Sequence, residues 1–480
     1  MSLALNPQWL KENLPRYLWR EDESPGKIDA LEVCHVSLSS KRVVVLYQLQ
    51  LNDHAAPQTR KQMYSGYVVS SDDLDAEYQA ILKKARIQPP AGNSVVLVPA
   101  ANLILLAFPN DRKISLLSEA KLRAWLTDHW REVVEEAHAA ESWQVTETTI
   151  EVLRYIPGKR LTARCRVKLY ALQAGHTPSG ATREISFIAK QLHNSQKARQ
   201  LYHNLLTLYM AWSRPRNGRL SHNIPHELQP PLPRLRGLRP LACDETTGVV
   251  YIENIPGAKL DQILAEIDLA AVMPAVGEIL AHFHALSKRV KKRVSCKSEL
   301  AEVRCAIHDI AGAYPHLRPR LRHLFKALTL SQWQDTNRSR VLLHGSFRLN
   351  HIVKHDGELT LIDLDGLRMG HPAYDVANFL SALYFGEAQA HISPAQRQDI
   401  ARHFLAGYFA KASQQIPALA VLWFLASLLI NKQAGKYVTH GYADSEEKVG
   451  RMLALAENIL KFGAQLLNEV NLAALAQLLP

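Results

Sequence analysis

The sequence is poor in cysteine, and its few cysteines form no redox or metal-binding pair. They are Cys34, Cys165, Cys243, Cys296 and Cys305, and none belongs to a CxxC motif. An odd number of cysteines scattered over 480 residues argues against a disulfide framework. We therefore expect reduced, mostly buried thiols and a cytoplasmic location.

Long hydrophobic runs, internal repeats and low-complexity tracts are also missing. The longest nearly unbroken apolar stretch, Ile416–Ile430, contains Pro417 and Ser427 and is shorter than the ~20 residues that a membrane span needs. It predicts a buried helix, and we expect no membrane span. The first residues lack a basic start followed by an apolar core, so we expect no signal peptide.

The composition is that of a globular protein with an excess of positive charge. Hydrophobic residues make up 47% and charged residues 21%, which excludes wholesale disorder and fibrous architectures. Lysine and arginine number 57 against 45 acidic residues, which gives a net charge of +12. This charge allows a nucleotide, a phosphorylated substrate, a nucleic acid or a membrane surface as partner and does not choose among them. The length predicts two to four domains at roughly 100–200 residues each.

The predicted elements change from strands to helices along the chain. Apolar and β-branched runs predict strands around residues 28–51, 64–70, 94–99, 103–108, 148–155, 160–170 and 184–192. Helical spacing of apolar residues predicts helices over 118–139, 195–212 and 260–287. Asn110-Asp111 fits a hairpin connection, 175–182 a loop, and 213–240 a Pro- and Arg-rich connector. Helices dominate the rest, except for a hairpin that turns at Asp356-Gly357.

The most informative segment lies between residues 341 and 379. The string His-Gly-Ser-Phe-Arg-Leu-Asn-His-Ile-Val begins at His344, and Leu-Ile-Asp-Leu-Asp-Gly begins at Leu361. The string Gly-His-Pro-Ala-Tyr-Asp-Val-Ala-Asn-Phe then begins at Gly370. A polar loop thus follows one strand, and a carboxylate ends the next strand of the same hairpin. Such an arrangement can direct several oxygen and nitrogen ligands at one metal–triphosphate.

These motifs resemble the aminoglycoside phosphotransferase / choline kinase family. That family has His-Gly-Asp in its catalytic loop and a metal-binding Asn five residues after the Asp. The resemblance covers about 145–440 in layout and is specific over 341–380. It implies an α+β, protein-kinase-like bilobal fold with a β-rich N-lobe, a helical C-lobe and ATP between them. Tyr251–Gly257 resembles the family's hinge, and Leu280–His284 resembles the helix that follows it.

The resemblance divides the chain into three predicted parts. Residues 1–140 form an N-terminal β-rich cap module with a linking helix, 141–256 the N-lobe, and 257–480 the helical C-lobe with the catalytic-loop hairpin. In layout the cap is similar to that of sugar kinases such as maltokinase. This similarity favours a sugar-like acceptor, and a docking surface is the alternative.

The resemblance implies nucleotide contacts from four residues of the N-lobe and hinge. Lys190 stands on the third N-lobe strand, where the family lysine pairs with the α- and β-phosphates; otherwise it is an exposed strand lysine. Lys159 lies in the turn where kinases place a glycine-rich phosphate cover, and a solvated turn is equally compatible with it. Glu253 and Ile255 fall in the hinge, where the family binds the nucleotide.

The implied metal ligands lie on the hairpin. Asp363 matches the family's metal-binding Asp for Mg²⁺, and Asp365, two residues on, is expected to point the same way along the strand or to cap a turn. His351 stands at the Asn position of the family motif, although imidazole suits softer metals better than Mg²⁺. Either the second metal position is weakened, or neighbouring Asn350 provides the ligand.

Two departures from the family pattern concern catalysis. Ser346 occupies the position of the catalytic Asp, and a serine hydroxyl is a poor base. No Asp or Glu occurs between Ile185 and His226, where the family supplies a Glu that holds the lysine. His344 is a candidate acid–base group or loop scaffold, and Asp375 is expected to anchor the loop from the start of a helix.

Three functions follow from these observations. The first is an ATP- and Mg²⁺-dependent phosphotransferase acting on a small hydroxylated molecule. The second is a pseudokinase that binds nucleotide or a protein partner as a regulator or scaffold. The third is nucleic-acid binding through the basic run Lys288–Arg293, but such a run after a helix is typical of a solvated loop, so nucleic acid is the unlikely partner.

Overall fold

The computed structural model describes most of the chain in two compact units. The described residues are 3–19, 26–39, 42–52, 60–133, 142–172, 178–213, 234–331, 340–385, 392–414, 416–440 and 445–465. The first unit comprises Met1–His203, Pro240–Asn254 and Thr439–Gly441, and the second comprises Asn204–Arg239, Ile255–Val438 and Tyr442–Pro480. The boundary between Asn254 and Ile255 falls inside the segment that resembles a hinge.

The first unit begins with short helices and an antiparallel sheet. The helices are α1 (Pro7–Asn13), α2 (Pro15–Leu18) and α3 (Leu74–Leu82), and the strands are β1 (Lys27–Ser39), β2 (Arg42–Asn52), β3 (Arg60–Val68), β4 (Val95–Val98) and β5 (Leu103–Ala107). The strand order is β1-β2-β3-β5-β4. Val45, Leu49 and Leu105 are fully or almost fully buried in its core. The sequence did not predict the three helices.

A second sheet carries the predicted N-lobe strands. The next elements are α4 (Glu119–Val133), β6 (Ser142–Ile156), β7 (Arg160–Leu172), β8 (Pro178–Leu192), α5 (Ser195–Ser213), β9 (Arg234–Arg236), β10 (Pro240–Asp244) and β11 (Val249–Glu253). The sheet order is β10-β11-β8-β7-β6, and α4 contributes Leu122, Leu126 and Trp130 to its core. The predicted loop over 175–182 is wrong from Pro178 onward, because β8 already pairs there with Leu172 of β7.

The second unit is mainly helical. Its elements are β12 (Ala258–Lys259), α6 (Leu269–His284), α7 (Cys296–Ala313), α8 (Arg318–Leu330), β13 (Val341–Leu343), β14 (Ile352–His355), β15 (Glu358–Leu361), β16 (Arg368–Gly370), α9 (Ala373–Phe385), α10 (Pro394–Lys411), α11 (Ala418–Leu428), α12 (Gly435–His440) and α13 (Ser445–Gln465). The predicted hairpin is β14–β15, and β9 pairs parallel with β15 at its outer edge.

Helices α6 and α10 pack at very close range. A Cβ atom on Gly277 would collide with the backbone of Phe404, and one on Gly407 would collide with the backbone of Pro274. Glycine at both positions therefore lets the two backbones approach. The close approach brings the end of α6, with His284, against Tyr408 of α10.

The apolar stretch predicted as a buried helix is confirmed as α11, in which every residue except the partly exposed Leu419 is buried. Within the described residues, Ala418–Val438 is long and apolar enough to cross a membrane by length and composition alone, and 83% of its apolar window is buried in the protein. A core helix of this kind passes the same test.

The cysteines differ from expectation in their burial. All five are free thiols, but only Cys165 is buried, whereas Cys34 and Cys305 are exposed. The expectation of mostly buried thiols is therefore wrong. Asn110-Asp111 also makes no hairpin, because it leads from β5 toward α4, and the Asn110 side chain bonds to the backbone of Arg86 and Ile87.

Candidate active site

The loop that follows β13 is held from below by one buried carboxylate. Asp375, in the first turn of α9, accepts hydrogen bonds from the backbone amides of His344 at 2.7 Å and Gly345 at 2.8 Å. Its Oδ2 also lies 3.3 Å from Nε2 of His284. Burial alone raises the pKa of this carboxyl, but the hydrogen bonds and nearby imidazoles outweigh burial, so its pKa lies below the ordinary value. The predicted anchoring role of Asp375 is confirmed.

The backbone at Gly345 requires glycine. Its φ of +81° lies in the left-handed region, and a Cβ atom there would collide with the carbonyl oxygen of Gly366. Phe347, two residues on, packs against Phe379 of α9 and Phe404 of α10, with its ring centroid 5.9 Å and 6.1 Å from theirs. The loop is thus fixed on both sides of Ser346.

Ser346 lies between two imidazoles. Its Oγ is 3.4 Å from Nδ1 of His344 and 3.5 Å from Nδ1 of His351. The Nε2 of His344 lies 3.0 Å from the carbonyl oxygen of Ile362, which can only accept, so Nε2 carries a proton. Burial, partly opposed by Asp375, lowers the pKa of His344 and favours its neutral form. Nδ1 of His344 is then an acceptor that the backbone amide of Ser346 approaches at 3.3 Å and its hydroxyl at 3.4 Å.

The predicted metal ligands Asp363 and His351 meet at the end of the β14–β15 hairpin. Nε2 of His351 lies 3.3 Å from Oδ2 of Asp363 and accepts a hydrogen bond from Nε of Arg348 at 2.9 Å. Asp363 has a left-handed backbone, with φ of +60°. Asp365 does not continue the strand as expected, because β15 ends at Leu361 and residues 364–366 form a 3-10 turn.

The residues present fit a divalent cation at Asp363 better than at His351. Mg²⁺ commonly takes one or two protein carboxylates and completes its shell with water and phosphate oxygens, which suits Asp363. The described residues contain no group of three or more His, Cys, Asp or Glu side chains able to hold a metal ion. The Oδ1 atom of Asn350, the alternative ligand, is buried without a hydrogen-bond partner.

The predicted nucleotide residues lie in the first unit or at its boundary. Lys190 is half-buried on β8 between Thr162 of β7 and Val250 of β11. Glu253 ends β11, and Ile255 is the first residue of the segment Ile255–Val438 of the second unit. These positions remain predictions for nucleotide binding.

Lys159 is exposed at the tip of the β6–β7 hairpin. Its Nζ donates to Oγ of Ser37 at 3.3 Å. The adjacent amide of Gly158 donates to Oδ2 of Asp111 at 2.7 Å, and the Tyr155 hydroxyl donates to the same oxygen at 2.6 Å. The tip is therefore tied to the segment that precedes α4.

Comparison with protein families identifies the segment that carries the loop and hairpin. Residues 220–413 match the phosphotransferase enzyme family, APH. The resemblance to the aminoglycoside phosphotransferase and choline kinase family is thereby confirmed. With the order of elements described above, the match also confirms the predicted α+β, kinase-like fold class. No curated protein matches the chain.

Solved phosphotransferases are similar to the chain at low identity. Spectinomycin phosphotransferase with ADP and spectinomycin is 10% identical, covers 75% of this chain and 98% of its own, and has a TM-score of 0.42. A ternary complex of streptomycin, ATP and APH(2″)-IIa is 13% identical, with coverage of 72% and 99% and a TM-score of 0.42. Choline kinase from Cryptosporidium parvum is 12% identical, with coverage of 74% and 99% and a TM-score of 0.41.

Lys432, outside the phosphotransferase-family match, contacts the loop and was missed in the sequence. It lies in a π-helical turn, Leu429–Ala434, between α11 and α12. Its Nζ donates to the carbonyl oxygen of Gly345 at 2.9 Å and lies 5.1 Å from the centre of the Tyr374 ring. Burial, reinforced by the Arg368 charge, lowers the pKa of Lys432 to about 7.

A buried glutamate accompanies Lys432. Glu299 of α7 is 2% exposed and accepts hydrogen bonds from Ser427 at 3.2 Å and from Asn431 at 2.5 Å. Burial raises its pKa, and the charge of Lys432 opposes that shift. The available sequence signal was the polar string Asn431-Lys432-Gln433 at the end of the nearly unbroken apolar stretch Ile416–Ile430.

Proposed function

We propose that this chain is a nucleotide-dependent phosphotransferase that transfers a phosphoryl group from ATP to a hydroxyl of a small, sugar-like molecule. The observation that carries the proposal is the frame around the loop. Asp375 holds the His344 and Gly345 amides, and the carboxylate of Asp363 lies 3.3 Å from His351 of the same loop. A polar loop and a carboxylate are thus kept together at one hairpin end inside the segment that matches the phosphotransferase family.

The residues of this frame have distinct parts in such a reaction. Mg²⁺, held by Asp363, would neutralise charge on the transferring phosphoryl group. The Ser346 hydroxyl donates to Nδ1 of His344, and its oxygen also faces Nδ1 of His351, which leaves one lone pair that can orient an acceptor hydroxyl. Because serine does not take up the proton, we expect turnover below that of an enzyme with a carboxylate here, by about 10²–10⁴-fold.

Ser346 also supports a second candidate function, a pseudokinase that binds nucleotide as a regulator of a protein partner. Positioning and charge neutralisation provide most of phosphoryl-transfer catalysis, so nucleotide binding survives the loss of a base more easily than turnover does. The replacement of the catalytic Asp by Ser346 is the observation that favours this alternative.

Binding of Mg-ATP is the first test of the proposal. Calorimetric titration and thermal melting should show binding to the wild type and a strong loss of it in Asp363→Asn. The left-handed backbone at 363 tolerates Asn well, so the substitution removes charge without straining the chain. Asp356→Asn is the matched control, because Asp356 is 86% exposed, has positive φ and lies on the same hairpin. Equal binding by both variants would contradict the proposal.

Turnover separates the two candidate functions. ATP consumption with a panel of hydroxylated acceptors should be measurable in the wild type and should rise in Ser346→Asp by about 10²-fold or more. Ser346→Ala is the control for loss of the hydroxyl alone. Nucleotide binding without consumption of ATP under any acceptor would favour the pseudokinase.

A further inference from the structure

Nε2 of His351 faces two groups of opposite charge. Arg348 approaches at 2.9 Å and donates its Nε–H, and Oδ2 of Asp363 lies 3.3 Å away. Because Nε2 accepts from Arg348, it carries no proton of its own, and the proton of the neutral ring sits on Nδ1, toward Ser346. Nε2 and the Asp363 oxygen are thus two acceptors that face each other.

Nε2 of His351 and Oδ2 of Asp363 both carry lone pairs and repel each other at 3.3 Å, so a positive charge beside them is needed to stabilise the pair. The spacing resembles that of neighbouring ligands on an octahedral cation, since ligands at about 2.1 Å from Mg²⁺ lie about 3 Å apart. A neutral imidazole nitrogen has a single lone pair, however, and the one on Nε2 already accepts the Arg348 hydrogen bond. His351 can therefore bind a metal ion only if Arg348 leaves.

The charge of Arg348 also affects the pKa values of Asp261 and His344. Burial raises the pKa of Asp261, and the charges of Lys259 and Arg348 oppose that rise. Arg348 also adds to the effect of burial in lowering the pKa of His344. A guanidinium is charged at every pH that the protein meets, so a second divalent cation here would meet permanent repulsion.

We propose that the Arg348 guanidinium replaces the second divalent cation of the nucleotide site, so that this chain binds one metal ion, at Asp363, rather than two. The inference rests on the proposed function for nucleotide binding, and in related kinase-like sites the catalytic-loop Asn holds the second ion. The His351 imidazole thus stands in place of the Asn side chain that binds the second ion in those sites, and the Arg348 guanidinium stands in place of the ion itself.

The test counts bound Mn²⁺, which electron paramagnetic resonance detects in place of Mg²⁺. With a saturating non-hydrolysable ATP analogue, the wild type should bind one Mn²⁺ per chain. The double variant Arg348→Met, His351→Asn restores an oxygen ligand and removes the guanidinium, so it should bind two. Arg340→Met is the control, because Arg340 is exposed just before β13, and it should still bind one.

Each outcome has a defined meaning. Two Mn²⁺ ions per nucleotide-bound wild-type chain would overturn the inference and leave the proposed nucleotide binding intact. Failure of the wild type to bind nucleotide would overturn both. A folded double variant, checked by its melting curve, that still binds one ion would also overturn the inference. The wild-type count depends on no variant and decides the question if the double variant does not fold.

Discussion

Asp375 shows how much one buried side chain can control. Both oxygens of the Asp375 carboxylate accept hydrogen bonds from loop amides. Because the site is buried, water cannot replace a lost partner, so a substitution here lowers the free energy of unfolding. The same contacts set the path of the chain through Gly345 to Ser346. Stability and the geometry of the candidate site are therefore linked at this residue.

Asp375→Asn should lower the free energy of unfolding by about 3 kcal/mol, because its amide group would face a backbone N–H that needs an acceptor. Folding lowers the pKa of Asp375, so its contribution is complete above the ordinary aspartate value of about 3.9 and is lost as the pH falls toward the folded value. Urea unfolding of wild type and variant between about pH 3 and pH 6 measures both effects.

Asp356→Asn is the control for this series, since that aspartate is exposed. An Asp375→Asn variant with wild-type stability and an unchanged acid limb would show that the buried carboxylate does not hold the loop.

At the scale of elements, the π-helical turn after α11 has the largest unpredicted effect. Its six residues, Leu429–Ala434, bring Lys432 to the Gly345 carbonyl and Asn431 to Glu299. Turns of this kind are rare and are often found at functional sites. Here the turn supplies an amine donor to the backbone carbonyl that directly precedes Ser346.

Lys432→Met should remove a rise in stability at alkaline pH. The pKa of Lys432 is about 7 in the folded chain, well below its ordinary value, so the unfolded chain binds the additional proton above pH 7. Wild-type stability should therefore increase relative to Lys432→Met above about pH 7, by up to about 1.4 kcal/mol per pH unit. Denaturant unfolding at several pH values measures the difference.

Lys411→Met, at the exposed end of α10, is the control and should follow the wild type. Parallel pH dependences of wild type and Lys432→Met would mean that the buried amine does not titrate in this range.

Several elements of both units were predictable from local patterns. The hairpin turn at Asp356-Gly357, helix α5 and the buried α11 follow from turn residues and apolar periodicity. The loop anchor Asp375 followed from the resemblance. The π-helical turn and the parallel pair β9–β15 depend on packing between distant segments, which no local pattern contains.

Side-chain pairings were the least predictable part of the site. The sequence placed His351 and Asp363 in one constellation, but it gave no sign that Arg348 shares the imidazole nitrogen. It left Asp365 either pointing along the strand or capping a turn, and the structure places it in a 3-10 turn at 364–366. Contacts of this kind depend on backbone direction within one or two residues of a strand end.

For the whole molecule, two compact units with their own buried cores imply unfolding in more than one step. Differential scanning calorimetry should give a calorimetric enthalpy larger than the van't Hoff enthalpy. Leu105→Ala, in the first unit, and Leu324→Ala, in the second, should each cost about 2–5 kcal/mol and shift different parts of the transition. A single two-state transition that both variants shift alike would contradict this expectation.

The carboxylate of Asp111 has a consequence for the hairpin tip at Gly158 and Lys159. The tip has lost its conformational freedom when the chain folds, before any ligand arrives. A preorganised tip would bind an anion with a smaller loss of conformational entropy. The negative charge of Asp111 next to the turn would weaken the same binding. The Asp111 carboxylate therefore favours anion binding by holding the tip rigid and opposes it by its negative charge. A neutral residue at position 111 would change both effects.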